Sequence, residues 1–138
     1  MECIFCQISS HELEASFVYE DELVFGIMSL DQPNPYKVLV VPRAHRQFIY
    51  DLGTAESARI FQVAVKLATA VRDVSGCEGL NIVQSNGTVG QQDLFHFHMH
   101  ILPRFTEDDI ELRWPATRLP RAELDRLADG IRLKLSEL

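Results

Sequence analysis

His96-Phe97-His98-Met99-His100-Ile101-Leu102-Pro103-Arg104 alternates imidazoles with apolar side chains, and the alternation begins at Phe95. A repeat of two is the repeat of a β-strand. The stretch therefore predicts a strand with His96, His98 and His100 on one face and Phe95, Phe97, Met99 and Ile101 on the other. Same-face residues on a strand lie roughly 6.5–7 Å apart, so three imidazoles would form a row. Three of the chain's five histidines stand here.

Such a row has three readings. It can be a structural strand whose imidazoles are satisfied by neighbours. It can chelate a metal, since His-x-His on a strand can place two nitrogens on one ion. It can carry acid–base or nucleophilic chemistry, because a neutral imidazole attacks phosphorus and titrates near neutrality. Ser85-Asn86-Gly87 and Gly90-Gln91-Gln92 lie just upstream. Glycines let backbone approach a phosphate closely, so this loop reads as a candidate phosphate cradle.

Outward from this stretch, the chain reads as ββ(β)αββα. Residues 16–20 and 23–28 read as a hairpin turning at Glu20-Asp21, and residues 37–41 as a central strand ended by Pro42. Ile60, Val63, Ala64, Leu67, Ala68, Val71 and Val74 trace one apolar stripe, predicting a helix over 54–74 with Thr54 as N-cap and Gly76 as terminator. Residues 80–84 read as a strand. From Pro120 onward, Leu124, Leu127, Ala128, Ile131 and Leu135 outline a second amphipathic helix. The fold class expected is α+β, an antiparallel sheet of about five strands with one long helix packed on it and a C-terminal helix. One domain over 1–138 is expected, with a core of about 2–105 and an extension over 106–138.

The net charge of −7 argues against a general nucleic-acid binder. Local positive charge from Lys37, Arg43, Arg46 and Arg104 would still suit a small anion. No apolar run approaches a membrane span and no secretory leader is recognisable, so a cytoplasmic protein is expected. Cys3 and Cys6 form a Cys-x-x-Cys pair, read as a metal half-site or a redox pair; Cys77 stands apart.

His96-Phe97-His98-Met99-His100-Ile101-Leu102 resembles the His-φ-His-φ-His-φ-φ signature of the histidine triad (HIT) superfamily. Gln92-Asp93-Leu94-Phe95, Pro103-Arg104, Cys3-Ile4-Phe5-Cys6, Tyr19-Glu20-Asp21-Glu22 and Val38 through His45 resemble its bacterial, diadenosine-polyphosphate-hydrolase-like branch. The resemblance implies hydrolysis of dinucleoside polyphosphates or nucleoside 5′-phosphoramidates through a nucleotidyl-histidine intermediate. A nucleotide-binding or sensing protein with little turnover is the alternative, and a zinc-dependent hydrolase using His98 and His100 as ligands is a third reading. By the resemblance, His98 is the nucleophile, His100 contacts the phosphate and Gln92 lies near the leaving oxygen. Ser85, Asn86, Gly90, Asp93, Lys37 and Ser29 are the implied substrate-binding positions. Cys3, Cys6, His45 and His96 match the four ligands of a structural zinc, a closed Cys2His2 site. The resemblance also implies a homodimer paired through the long helix and a sheet edge. Lys37 stands where many members have histidine, Ser29 where many have aspartate, Ser85 where many have asparagine and Asp93 where many have serine or threonine.

Overall fold

A computed structural model describes residues 2–138. Five strands form one antiparallel sheet: β1 (Phe17–Glu20), β2 (Val24–Met28), β3 (Val38–Pro42), β4 (Gly79–Gln84) and β5 (Met99–Arg104). Their order is β1-β2-β3-β5-β4. The fold class is α+β, as the pattern of hairpins and one long helix predicts. The hairpin turn is held by Asp21, whose carboxylate accepts from the backbone N–H groups of Leu23 and Val24 at 2.7 and 2.9 Å. These bonds, with that of Tyr19, hold the Asp21 carboxyl well below the usual carboxylate range despite its burial.

Helix α2 (Thr54–Ser75) covers one face of the sheet. Ile60, Val63, Ala64, Leu67 and Val71 meet Val24, Val38, Val40, Phe97 and Ile101 there. Fully burying an aliphatic side chain of this size contributes about 1.5–3 kcal/mol, so this face dominates the core. Two details of the expected helix change. Val74 is exposed, because the stripe drifts off the sheet in the last turn. The N-cap is Gly53 and not Thr54: the Glu56 carboxylate accepts from the Gly53 N–H at 3.0 Å, so the helix is closed from its third residue. Gly76 ends the helix at φ 68°, a left-handed conformation that favours glycine.

The opposite face carries Phe25, Ile27, Leu39 and Val41, packed against Phe5 and Ile8. Those two belong to α1 (Ile4–Ser9), a six-residue helix not among the elements expected from the sequence. Its signal is local: Cys3 caps it by accepting from the Cys6 N–H, and Phe5 and Ile8 share one face.

The histidine stretch is only half a strand. Alternation of faces holds, but β5 starts at Met99, so His96 and His98 lie in extended backbone before the ladder. β5 pairs with β3 only as far as Met99 opposite Val40. Beyond that point Pro42 has no N–H to offer, and the Phe97 N–H donates to the Arg46 carbonyl at 2.6 Å. Phe95 is also not a core residue; it is partly exposed against Phe48.

Residues 106–120 are irregular, and α3 (Arg121–Leu135) follows as predicted. None of its residues is buried: Leu124, Leu127, Ile131 and Leu135 stand exposed. Asp108 anchors the start of this extension by accepting from Arg104, Asn34 and two backbone N–H groups, which holds its carboxyl well below the usual range. Among the described residues, no helix is long and apolar enough to cross a membrane.

Candidate functional site

Two sites meet along the histidine stretch. The first is a cluster of Cys3, Cys6, His45 and His96, whose ligand atoms all lie within 4.8 Å of one another. His96 Nδ1 lies 3.3 Å from Cys3 Sγ, 3.6 Å from Cys6 Sγ and 3.2 Å from His45 Nδ1. Cys6 Sγ lies 3.5 Å from His45 Nδ1. Bonds of about 2.0–2.3 Å arranged tetrahedrally require ligand atoms roughly 3.3–3.8 Å apart, and these four separations, 3.2–3.6 Å, lie in or within about 0.1 Å of that range. The donors are also oriented for an ion. His96 Nε2–H donates to the Pro42 carbonyl at 2.8 Å, which leaves the Nδ1 lone pair turned into the cluster. Burial, then the neighbouring Cys3 thiol, push the Cys6 thiol up to about 11, and a bound cation reverses that balance. The four residues the sequence assigned to a metal are therefore brought together, and they can hold one.

The second site is a cavity of about 360 Å³ on the α1 face of the sheet. His98 and His100 line its floor, with Ser29, Lys37 and Asp93 around them. His98 is 6 % exposed, and its Nδ1 lies 2.8 Å from the His96 carbonyl oxygen. A carbonyl only accepts, so Nδ1 carries the proton, and in the neutral imidazole the lone pair is on Nε2. The Asp93 carboxylate lies 3.6 Å from that Nε2. The His100 ring meets the His98 ring edge-on, with centroids 4.8 Å apart. Burial, then the charge of Lys37, push His100 down to about 4, so it is neutral near pH 7. Burial lowers Lys37 as well, against the opposing pull of Asp31 and Asp93.

The remaining walls are apolar: Ile4, Phe5 and Ile8 from α1, and Ile27 and Leu39 from the sheet. Phe5 and Ile27 thus belong to the cavity as well as the core, whereas Phe17 and Phe25 belong to the core alone, with ring centroids 5.7 Å apart. Sequence reading missed Ile4, Ile8 and Leu39. The first two were legible as a helical face around Cys-x-x-Cys, but six residues are too few to show a period.

The glycine loop is not a lining element of this cavity. Gln92 is buried, its Oε1 accepts from the Gly87 N–H at 2.8 Å, and its Nε2 donates to the Gln47 and Leu94 carbonyls. Asn86 accepts from the Ile49 N–H at 2.8 Å and pairs with Gln84. A Cβ at Gly90 would fall 2.5 Å from the Asn86 carbonyl oxygen, so Gly90 permits the loop's own close turn. Asn86, Gly90 and Gln92 therefore brace the loop, Ser85 does not line the cavity, and the next two residues, Asp93 and Leu94, do. Of the four cations expected near the site, only Lys37 faces the cavity. Arg43 is held by Glu20 and the Ser9 and Asp21 carbonyls, Arg46 by Glu56, and Arg104 by Asp108.

Comparison with known proteins agrees with this geometry. The HIT domain family profile matches residues 10–107. A solved HIT family protein from Bacillus anthracis superposes with a TM-score of 0.93 at 32% identity, covering 96% of each chain. A Zn-bound histidine triad family protein from Mycobacterium smegmatis superposes with a TM-score of 0.75 at 31% identity, covering 94% of this chain and 98% of that one. The adenosine 5′-monophosphoramidase hnt1 of Schizosaccharomyces pombe is 26% identical over 136 residues, 98% of this chain and 99% of its own. With its histidine alternation, its antiparallel sheet and the match to the family profile, the chain belongs to the HIT domain family.

Proposed function

We propose that the protein is a nucleotide phosphate hydrolase acting on nucleoside 5′-phosphoramidates or dinucleoside polyphosphates through a nucleotidyl-His98 intermediate. The observation that carries this reading is the tautomer of His98: Nδ1–H is committed to the His96 carbonyl, and Nε2 faces the cavity beside His100 and Asp93. A relative named for adenosine 5′-monophosphoramidase activity supports the phosphoramidate class.

The chemistry follows from that tautomer. The Nε2 lone pair attacks the α-phosphorus, and the bond to the leaving group breaks with its electron pair, the departing nitrogen taking up a proton from solvent. Nδ1 keeps its proton, so the nucleotidyl-imidazole is cationic and its P–N bond is weak. Water then attacks phosphorus and gives up a proton to solvent, the P–N bond breaks, and Nε2 recovers its lone pair as neutral imidazole. Neutral His100 offers a hydrogen bond to a phosphate oxygen, and Lys37 supplies the compensating charge. Asp93 stands where a leaving group would pass. Gln92 acts indirectly, ordering the loop that presents Asp93. The apolar α1 wall and Ser29 would receive base and ribose.

The metal in this reading is zinc, held by Cys3, Cys6, His45 and His96. Four protein donors leave no open position, so the ion is structural. A zinc hydrolase using His98 and His100 as ligands would instead keep its metal when Cys3 and Cys6 are substituted. We also propose a homodimer: Phe61 and Val65 on α2 and Ile82 on the edge strand β4 are exposed apolar side chains on the helix and the sheet edge expected to pair.

The test is turnover of adenosine 5′-phosphoramidate and diadenosine polyphosphates by the wild type and by His98→Ala. Release of AMP by the wild type and its loss in the variant are expected. Tight AMP binding with negligible turnover across the panel would favour the sensing alternative.

A further inference from the structure

The metal cluster and the cavity are not separate compartments. A second, smaller cavity of about 250 Å³ opens on the metal side, and Ile4, Phe5, Asp93 and Leu94 line both. Phe5 stands in the middle of this partition. Its ring meets the His96 ring edge-on at a centroid distance of 5.6 Å and the His98 ring at 5.1 Å. It is 4 % exposed, so it cannot swing away without opening the core.

We propose that Phe5 is a positioning residue that couples the Cys3/Cys6/His45/His96 metal centre to the orientation of His98. The inference rests on the reading of His98 as nucleophile. Two routes run from the cluster to that imidazole. One is through backbone: His96 offers Nδ1 to the cluster, and its carbonyl accepts the His98 Nδ1–H. The other is through packing: Phe5 lies between Cys3 and Cys6 in the sequence, so an ion that fixes both thiolates fixes the backbone from which the Phe5 ring projects.

The second route has force because α1 is weak by itself. Six residues are far below the roughly 12–15 at which an isolated helix becomes even marginal. What holds α1 is the cluster at one end, the Arg43 guanidinium on the Ser9 carbonyl at the other, and the burial of Phe5 and Ile8 between them. With the ion in place, the Phe5 ring blocks one side of the His98 imidazole and keeps its Nδ1–H on the carbonyl. Without the ion, α1 loses one of its anchors, Phe5 can retract only together with α1, and His98 then gains the room to turn. The metal thereby acts on substrate chemistry without touching substrate.

The experiment is imidazole 1H–15N NMR on the full-length metal-loaded protein, wild type against Phe5→Leu, with metal content and steady-state kinetics measured on the same samples. The wild type should show His98 as one Nδ1–H tautomer. Phe5→Leu should retain its metal yet show His98 as a mixture of tautomers, with kcat lowered about ten- to hundredfold, the scale of a misplaced reacting group, and KM changed much less. A single unshifted His98 tautomer in Phe5→Leu, or a rise in KM alone, overturns the proposal and makes Phe5 a mere pocket wall. Should Phe5→Leu not fold, removal of the metal from the wild type by a chelator gives the second arm. Loss of the single tautomer with the far-UV spectrum preserved supports coupling, and an unchanged tautomer refutes it. Because the NMR signal needs no substrate, a protein that shows the coupling but hydrolyses nothing would sink the hydrolase reading and leave the coupling standing.

Discussion

His98 Nδ1 lies 2.8 Å from the carbonyl oxygen of His96, two residues upstream and itself in the metal cluster. One backbone carbonyl thus sets the proton on one side of the imidazole and bares the lone pair on the other. Substituting His98 by Ala removes the attacking atom while leaving both the metal ligands and the α2 face of the sheet intact. AMP release from adenosine 5′-phosphoramidate should fall about 10³-fold or more, the scale seen when a nucleophile is lost, with thermal stability changed little. Calorimetry beside the kinetics checks both halves.

Lys37 is the one expected cation that reaches the cavity. Lys37→Met keeps the stem and removes the charge. A hydrogen bond to a charged partner contributes about 1.5–3 kcal/mol, so AMP affinity should fall roughly ten- to hundredfold. Titration calorimetry against AMP and against adenosine separates the contributions: adenosine, which has no phosphate, should bind the two proteins equally. Equal losses for both ligands would place Lys37 outside phosphate recognition.

His100 gives the fold an acid sensitivity. Its folded value of about 4 lies below the ordinary value of 6.5, so the unfolded chain binds more protons between them. Stability therefore rises with pH across this window, is complete above about pH 6.5 and is lost as pH falls toward about 4. His100→Gln should flatten that dependence. Urea midpoints measured at pH 7 and pH 5 report it; an identical slope in the variant would locate the sensitivity elsewhere.

Cys3→Ser/Cys6→Ser removes two of the four metal ligands. Bound zinc, measured by elemental analysis, should drop from one equivalent per chain to none. Melting should fall by roughly 5–15 °C, because ion binding is coupled to ordering of the α1 arm. Retention of a full equivalent by the double variant would show that the ion sits at other residues.

Much of this was legible in the sequence, for identifiable reasons. Period-two alternation and β-branched runs marked the strands, and the stripe through Ile60, Val63, Leu67 and Val71 marked the long helix. The four metal ligands come from three separate segments; residue type marked Cys3 and Cys6 as a half-site, and the family resemblance joined His45 and His96 to them. What the sequence hid was competition for hydrogen bonds. Gln92 and Asn86 read as substrate contacts because of their amides, but those amides are already engaged: Gln92 Nε2 donates to two backbone carbonyls, Asn86 Nδ2 donates to Gln84 Oε1, and both amide oxygens accept backbone N–H groups. The same holds for Arg43 and Arg104, whose charges are spent on Glu20 and Asp108. The early end of β5 follows from an unavailable N–H at Pro42. Helix α1 was hidden by its brevity.

The central claim is that His98 carries the nucleotide. Rapid quench of the metal-loaded protein with adenosine 5′-phosphoramidate, followed by digestion under mildly basic conditions and mass spectrometry, tests it most directly. One adenylyl group is expected on the peptide containing His98, localised to that imidazole by fragmentation and absent from His98→Ala. An adenylyl group on another residue, or turnover by His98→Ala at the wild-type rate, would contradict it.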